Sequence, residues 1–318
     1  MNSFRKGFKL LVVSFILLTF TGLLITCNQM GKQSTEETPT RGKIRIFADE
    51  SYKPIIDSEV YTFTNLYTYA SITPKYKPEV DIINDFMNDS VKVIVTNKKL
   101  TDDQIQYLRD TLVVARTTTI AYDALAFIVN KANKDTLLTY NTIKDIFFGR
   151  IDTWKEINSK SNLGKINVVF DNTKSGNIRY FKEKFEIKEK LQSNFYAVNS
   201  NEEVIDFISK NPSALGIISV NWISNKHNPE ARDFISKIKV VAVSSSFDNT
   251  SYYLPVQGSI YNKTYPFTRE VYLISRETFA GLGSGFISWV ASEPGQRIIL
   301  KSGLVPATMP IRLIQVKH

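Results

Sequence analysis

The sequence predicts an α/β protein of two lobes, each built on a mostly parallel sheet flanked by helices. Short apolar segments typical of buried strands alternate with amphipathic segments of helical period along nearly the whole chain. Three of the strands lead into a polar turn and then a helix start. The roughly 275 residues from Lys43 onward are long for one hydrophobic core and suit two.

The first 27 residues have the features of an export signal. Three basic residues precede an apolar stretch at residues 10–25, which is short for a membrane-spanning helix of about 20 residues. Residues 24–27, Leu-Ile-Thr-Cys, resemble a bacterial lipobox, in which Cys27 is lipidated. We predict a lipoprotein signal peptide over residues 1–27 and a flexible polar tether over residues 28–42, with the body outside the cytoplasm. An uncleaved membrane anchor is the alternative.

Cysteine and histidine content limits the chemistry of the chain. Cys27 is the single cysteine, and beyond it the chain has only His227 and His318. The body therefore has no disulfide framework, no thiolate metal site and no Cys nucleophile, and it offers little for a Ser-His-Asp triad or a His-rich metal site. We expect no enzyme activity, no metal and no cofactor.

The charge of the chain is positive but dispersed. The formal charge is +9, or +6 without the three basic residues of the signal, and the Lys and Arg residues are scattered rather than clustered. This distribution argues against a nucleic-acid partner. A mild positive field suits an anionic ligand or an anionic membrane surface.

In chain order, the first strand is predicted at residues 43–47. Asp49 or Ser51 can cap the helix that follows, with Pro54 in its first turn. The second strand lies at residues 91–95, and Thr101 with Gln104 has the form of a capping box. The remaining strands are predicted at residues 121–129, 166–170, 215–220, 239–244 and 271–275, and the remaining helices at residues 139–148, 175–185, 201–208, 285–291 and 294–301.

Residues 166–185 are the segment around which the rest of the predicted chain is organised. A short buried strand ends in a polar turn and leads into a helix that opens with Ser175 and Gly176. The first backbone N–H groups of such a helix are unpaired and suit an anion, and glycine lets a ligand approach the backbone. The alternative is an ordinary Ser cap.

Four segments stand out in chain order: Tyr-Asp-Ala-Leu-Ala-Phe-Ile-Val-Asn at 122–130, Phe-Phe-Gly-Arg-Ile-Asp-Thr-Trp at 147–154, Ser-Gly at 175–176 and Tyr-Pro-Phe-Thr-Arg at 265–269. In this order they resemble the phosphate-binding lipoproteins of bacterial ABC transporters. The resemblance runs from about Lys43 to about Pro306. It implies a monomeric two-lobed clamshell that binds phosphate or a related oxyanion between its lobes and delivers it to a transporter permease.

The resemblance also implies lobe boundaries and site residues. Chain crossings fall near residues 116–120 and 244–255, so that lobe 1 comprises residues 43–118 and 250–312 and lobe 2 comprises residues 119–249. Ser175 and Gly176 match the family's Ser-Gly. The other implied ligand-binding positions are Glu50, Ser51, Thr96 and Asn177.

Two departures from the family pattern bear on the ligand. Asp171 stands where the family commonly has Arg, and residues 96–99 contain no acid to accept a phosphate proton. Because a buried, unpaired carboxylate is unfavourable beside a dianion, Asp171 points away, pairs with Arg179 or Lys174, or indicates a different ligand. Arg179 either replaces the missing guanidinium or is a solvated helix residue.

Other residues allow two interpretations each. Asp123 either bonds hinge backbone or reaches the cleft, and Arg269 braces the hinge or faces solvent. Trp154 and Trp222 are expected to be packing residues, and His227 is expected in a surface loop. Two other functions remain open: a diverged binding protein that acts as a sensor or an envelope interaction protein with a non-phosphate ligand, and, with less support, an enzyme.

Overall fold

The computed structural model describes residues 37–310. The predicted signal peptide, the lipidation site Cys27 and most of the tether lie outside the described residues. Within them, we find no helix with the length and apolar character needed to cross a membrane.

The described chain alternates strands and helices, as predicted. The strands are β1 Gly42–Asp49, β2 Ala70–Lys77, β3 Val93–Thr96, β4 Arg116–Asn130, β5 Leu137–Leu138, β6 Asn167–Phe170, β7 Phe195–Ala197, β8 Ala214–Ser219, β9 Ile238–Val240, β10 Ala242–Ser244, β11 Tyr252–Tyr253, β12 Thr268–Ser275 and β13 Val305–Pro306. The helices are α1 Lys53–Leu66, α2 Glu79–Met87, α3 Asp102–Asp110, α4 Tyr140–Phe147, α5 Trp154–Ile157, α6 Gly176–Lys184, α7 Asn201–Lys210, α8 Pro229–Lys237, α9 Gln257–Tyr261, α10 Leu282–Ala291 and α11 Glu293–Lys301.

Ten strands form one mixed sheet. Its order is β2-β1-β3-β12-β4-β8-β6-β7, with β9 and β13 also paired to β4, and β11-β10-β5 form a separate sheet. Pairing is parallel at both ends of the large sheet, between β1 and its neighbours and between β6 and its neighbours. It is antiparallel around β4 and β12. The predicted α/β class is confirmed, and the centre of the sheet is less parallel than the alternating pattern suggests.

Strand β4 joins the two halves of this sheet. Arg116 to Ala124 pair with β12, whereas Leu125 to Val129 pair with β8. The partner therefore changes between Ala124 and Leu125, a few residues after the predicted first crossing. The exact lobe boundaries stay a prediction.

Two elements that we did not predict from the sequence, β2 and α2, follow one another in the chain. Strand β2 is partly exposed along most of its length, and α2 follows Pro78 without a side-chain cap. The sequence signals were nevertheless present: apolar and polar residues alternate from Ala70 to Lys77, and Ile82, Ile83 and Phe86 have helical spacing after Pro78. The capping box of Thr101 and Gln104 at α3, by contrast, is present as predicted.

One large buried cluster spans both halves of the sheet and is rich in aromatic side chains, and a second, smaller cluster includes Phe86, Leu108 and Ile274. Phe267 packs against Phe127 and Phe181, with ring centroids 5.4 and 5.1 Å apart. Trp154 and Trp222 are buried, which confirms their packing role. His227 is exposed, as expected for a surface loop.

Candidate ligand-binding site

Polar side chains meet where the two halves of the sheet face each other. The turns after β1, β6 and β8 all contribute. Strands β6 and β8 are parallel to each other, and β1 runs in the opposite direction in the other half of the sheet, so that its carboxyl end faces theirs. Ser51 Oγ donates a hydrogen bond to Oδ1 of Asn177 at 3.2 Å. Asn221 Nδ2 donates to the backbone oxygen of Ser51 at 3.1 Å. The turn after β1 is thus tied to the turns after β6 and β8.

Ser175 caps helix α6, as the sequence predicted. Its Oγ accepts a hydrogen bond from the backbone N–H of Asn177 at 2.9 Å. The same hydroxyl lies 2.6 and 2.8 Å from the two carboxylate oxygens of Asp171, to which it donates. Ser175 is therefore both the ordinary cap and part of a buried polar cluster.

Gly176 lies where side chains from the opposite half converge. A methyl group placed on Gly176 would lie 2.4 Å from Nδ2 of Asn97, 2.9 Å from Oε2 of Glu79 and 3.0 Å from Oδ2 of Asp49. Real methyl groups do not approach other atoms this closely, so those side chains would have to move. The first turn of α6 is in close contact with β1, α2 and the turn after β3 only because residue 176 has no side chain.

Asp171 is buried and makes no ion pair within residues 37–310. Besides Ser175, it accepts a hydrogen bond from Nδ2 of Asn177 at 3.0 Å. Burial, with the nearby charge of Asp49, raises the pKa of Asp171 to about 7. Of the three expectations for Asp171, pairing is wrong: Lys174 pairs with Asp81 and Arg179 with Glu79.

Arg179 joins the two halves of the molecule rather than facing solvent. Its Nη2 donates to Oε2 of Glu79 at 3.0 Å and also to Oδ1 of Asn97, and its Nε donates to Oε1 of Glu79. Its Nη1 bonds Glu183 on its own helix. The guanidinium is therefore engaged by protein side chains on every nitrogen.

Arg269 and Asp123 form a second, deeper ion pair. Arg269 Nε donates to Oδ2 of Asp123 at 2.9 Å, and Nη1 donates to Oδ1 of Asn177 at 2.7 Å. Nη2 lies 2.9 Å from Asp123 Oδ2 without an aligned hydrogen bond. Ser219 Oγ also donates to Asp123. Arg269 is buried, so the solvent-facing alternative is wrong, and Asp123 bonds side chains rather than only hinge backbone.

Two further predicted residues, Glu50 and Thr96, lie in the same region. Glu50 Oε2 accepts hydrogen bonds from the backbone N and Nδ2 of Asn201, at 3.1 and 2.5 Å, at the start of α7. Burial raises the pKa of Glu50 to about 8. Thr96 Oγ1 donates to Oε2 of Glu79 at 3.1 Å. The structure thus brings all seven predicted site residues into one cluster, and their contact with a ligand stays a prediction.

Asp49, Glu79 and Asn97 are among the residues of this cluster that were not assigned a ligand-binding role from the sequence. Asp49 was considered only as a helix cap, and its Oδ1 does accept from Ser51 N at 2.9 Å. Glu79 was missed because α2 was missed. Asn97 follows β3 directly, so its place at a strand end was the available signal. No group of three or more acidic, His or Cys side chains suited to a metal ion occurs among the described residues.

A cleft between two halves of a sheet, lined by strand ends and helix starts from both, is the architecture of a two-lobed solute-binding protein. The family model of the PBP superfamily domain matches residues 33–294. The chain therefore belongs to the PBP superfamily.

The most similar proteins found include named binding proteins. The phosphate-binding protein PstS of Borreliella burgdorferi is 23% identical over 303 residues, which cover 92% of this chain and 98% of that protein. A phosphate-binding protein PstS of Staphylococcus epidermidis is 24% identical over 63% of this chain and 59% of its own length. These relatives are binding proteins, in agreement with the expectation that the chain is not an enzyme.

Solved structures support the two-lobed fold. A phosphate ABC transporter substrate-binding protein from Clostridium perfringens, solved with bound phosphate, superposes with a TM-score of 0.70 at 24% identity and covers 84% of this chain and 100% of its own. A phosphate transport receptor from Vibrio cholerae gives 0.62 at 21% identity, over 83% and 100%. The predicted two-lobed clamshell is confirmed.

Proposed function

We propose that the chain is an extracytoplasmic solute-binding lipoprotein of an ABC importer and that its cleft binds phosphate or a related oxyanion. The observation that carries this proposal is the start of α6. Its first turn has no side chain at Gly176 and meets polar side chains of the opposite half, among which Asn97 Nδ2 is a buried donor without a partner in the described chain. Unpaired backbone and side-chain donors at a helix start suit an anion. The names of the relatives support the same ligand class.

The seven predicted residues then form the ligand site or its immediate support. These residues are Glu50, Ser51, Thr96, Ser175, Gly176, Asn177 and Arg179. Arg269 joins them, because its Nη2 makes no aligned hydrogen bond inside the cluster. Lobe 1, at residues 43–118 and 250–312, and lobe 2, at residues 119–249, would close over the ligand, because only contacts absent from the open state favour closure.

The partners follow from the class of protein. The proposed body is a monomer that delivers its ligand to an ABC permease and uses no cofactor or metal. A lipid on Cys27, joined to the body by the polar tether, would hold it to a membrane on the periplasmic side. Replacing Cys27→Ala should release the protein from the membrane fraction of expressing cells.

A diverged sensor or envelope interaction protein is the second candidate. The buried Asp171, which stands in the cleft without a cation, favours a ligand other than a fully ionised phosphate. Calorimetric titration of ligand-stripped protein, without signal and lipid, against phosphate, sulfate and a neutral sugar separates the two. Tight phosphate binding supports the transport proposal, whereas no heat with either oxyanion contradicts it.

A further inference from the structure

A groove of about 760 Å³ lies beside helix α8, apart from the predicted ligand site. Its walls are the loop after β8, one face of α8, the segment between β11 and α9, and the end of α11. We call it the α8 groove, and its side chains include Ile223, Lys226, Arg232, Ile235, Leu254 and Lys301. None of the seven predicted ligand-binding residues lines it. Its volume lies in the range of roughly 300–1,000 Å³ that is typical of sites for small molecules.

Apolar side chains that water can reach form much of the groove surface. Ile235 on α8 is 39% exposed, and Leu254 and Val256, which follow β11, are 45% and 54% exposed. The half-buried Val240 of β9 lies in the same lining. A ligand that covered these side chains would remove apolar surface from water, which is favourable roughly in proportion to the area. This part of the groove therefore suits an apolar chain.

The charged side chains of the groove are all basic. Lys226, Arg232 and Lys301 are exposed, and none of them forms an ion pair within the described chain. No Asp or Glu of the described residues lines the groove, and Asp233 on α8 is paired with Lys237 instead. Cations without a counter-charge beside an apolar surface favour an anionic group.

A close contact between two segments brings these cations together. Ser224 Oγ donates a hydrogen bond to the backbone oxygen of Ser302 at 2.5 Å. Gly303 has a φ of +88°, and a methyl group placed on it would lie 2.5 Å from Cβ of Ser224. The end of α11 therefore fits against the loop after β8 because residue 303 is glycine. This contact places Lys301, the last residue of α11, beside the loop that carries Lys226.

Polar and apolar parts of the lining follow one another along α8. Arg232 and Ile235 are three residues apart and share one face of the helix. Arg232 is nearer the loop that carries Lys226, and Ile235 is one turn further from it. The groove is thus cationic near the loop and apolar along the helix, which matches a molecule with an acidic head group and an apolar chain.

We propose that the α8 groove binds a single-chain anionic amphiphile. Its acidic head group is held by Lys226, Arg232 and Lys301, and its acyl chain covers the exposed apolar side chains of α8 and of the segment after β11. A concave groove suits one free molecule, whereas a bilayer surface contacts protruding side chains. This ligand is independent of the oxyanion proposed for the cleft, because the two sites share no residue.

Calorimetric titration with dodecanoate, below the concentration at which it forms micelles, tests the proposal. Excess inorganic phosphate in the buffer occupies the proposed oxyanion site in the cleft. We expect one-to-one binding of dodecanoate. Octanoate, four methylenes shorter, should bind at least about tenfold more weakly, because each buried methylene contributes to affinity. Dodecyl maltoside, with the same chain and an uncharged head group, should also bind at least about tenfold more weakly.

Two exposed positions on α8 supply the variants. Arg232→Gln should weaken dodecanoate binding at least about fivefold through loss of a cation. Ile235→Glu places a carboxylate against the acyl chain and should abolish binding. Arg297→Gln is the control, because Arg297 is an exposed arginine of α11 that pairs with Glu293 and does not line the groove. Circular dichroism checks that each variant is folded.

Several results would overturn the inference. They are no binding of dodecanoate below the micelle-forming concentration, equal affinity for the uncharged amphiphile, or unchanged affinity in either Arg232→Gln or Ile235→Glu. Binding to vesicles of anionic phosphatidylglycerol without binding of free dodecanoate also overturns it and assigns this face to a membrane surface. None of these results bears on the oxyanion proposed for the cleft, which phosphate titration tests separately.

Discussion

Arg269 and Asp123 face each other as directly paired residues of β12 and β4, and their side chains form a buried ion pair. Asp123 is 0% exposed and Arg269 is 6% exposed. Because Arg269 also bonds Asn177, this pair connects the strand that joins the two halves to the first turn of α6. Its position makes it a support of the cleft as well as of the sheet.

Removal of one member of this pair should be strongly destabilising. Asp123→Asn leaves a buried guanidinium without a counter-charge, and we expect the free energy of unfolding to fall by about 3–5 kcal/mol. Urea denaturation measures the change. Glu293→Gln, which breaks the exposed pair with Arg297, is the control and should cost less than about 1 kcal/mol. Equal losses of unfolding free energy in Asp123→Asn and Glu293→Gln would contradict the assignment of Asp123 and Arg269 as a stabilising buried ion pair.

Arg179 should affect ligand binding through closure of the cleft. Its nitrogens are bonded to Glu79 and Asn97 across the cleft and to Glu183, so Arg179→Ala removes contacts between the halves. We expect phosphate affinity to fall by about tenfold, or about 1.4 kcal/mol. Faster ligand dissociation in stopped-flow experiments should account for the change.

The control for Arg179 is Arg150→Ala, which removes an exposed arginine paired with Asp145. Unchanged dissociation in both variants would mean that the contacts of Arg179 do not hold the closed state.

Ser175→Ala should lower stability in a pH-dependent way. Loss of the helix cap should cost about 1 kcal/mol near pH 6, where Asp171 is largely protonated. Near pH 8 the ionised Asp171 also loses a donor, so a further 1–2 kcal/mol or so is expected. Ser200→Ala, which removes the cap of α7, should cost a similar amount at both pH values. If the stability lost in Ser175→Ala and in Ser200→Ala changes with pH in the same way, the hydrogen bond from Ser175 to an ionised Asp171 does not contribute as predicted.

Glu59 should make the protein less stable at alkaline pH. It is 0% exposed, and neither carboxylate oxygen has a hydrogen-bond partner within residues 37–310. Burial raises its pKa to about 9, with a smaller opposing effect of Trp289. A raised acid pKa means that the folded state binds the proton more tightly, so stability is greatest at low pH and falls as the pH rises from about 4.5 to about 9.

The variant Glu59→Gln removes this titration. Thermal unfolding should show a flatter pH dependence than in wild type, with the variant gaining relative stability above about pH 8. If the unfolding temperatures of Glu59→Gln and wild type differ by the same amount at about pH 5.5 and at about pH 8.5, Glu59 does not titrate in this range.

The sequence predicted much of this architecture because its signals are local. Alternating apolar segments and capping residues such as Thr101 and Ser175 mark elements within a few residues. The turn after β6, with Ser175 and Gly176, was recognised for the same reason. Helix α2 has no side-chain cap and was not predicted, so Glu79 at its start was missed as well.

The side-chain contacts that cross the cleft could not be predicted from the sequence. Arg179 and Glu79 are separated by 100 residues, and Arg269 and Asn177 by 92. No local pattern distinguishes a solvated arginine from one that bonds a distant element, so both arginines kept two interpretations until the fold was known. Whether Asp171 forms an ion pair likewise depends on its distance from each cationic side chain in the folded structure.

The central claim is that an oxyanion binds in the cleft at the first turn of α6. Gly176→Ala tests it directly, because the added methyl would meet Asn97, Glu79 and Asp49, whereas Gly164 has no atom within 4 Å of the corresponding position. Calorimetric titration with phosphate at about pH 6 should show wild-type affinity for Gly164→Ala and at least about tenfold weaker binding for Gly176→Ala. Wild-type affinity in Gly176→Ala would contradict the claim and place the ligand elsewhere.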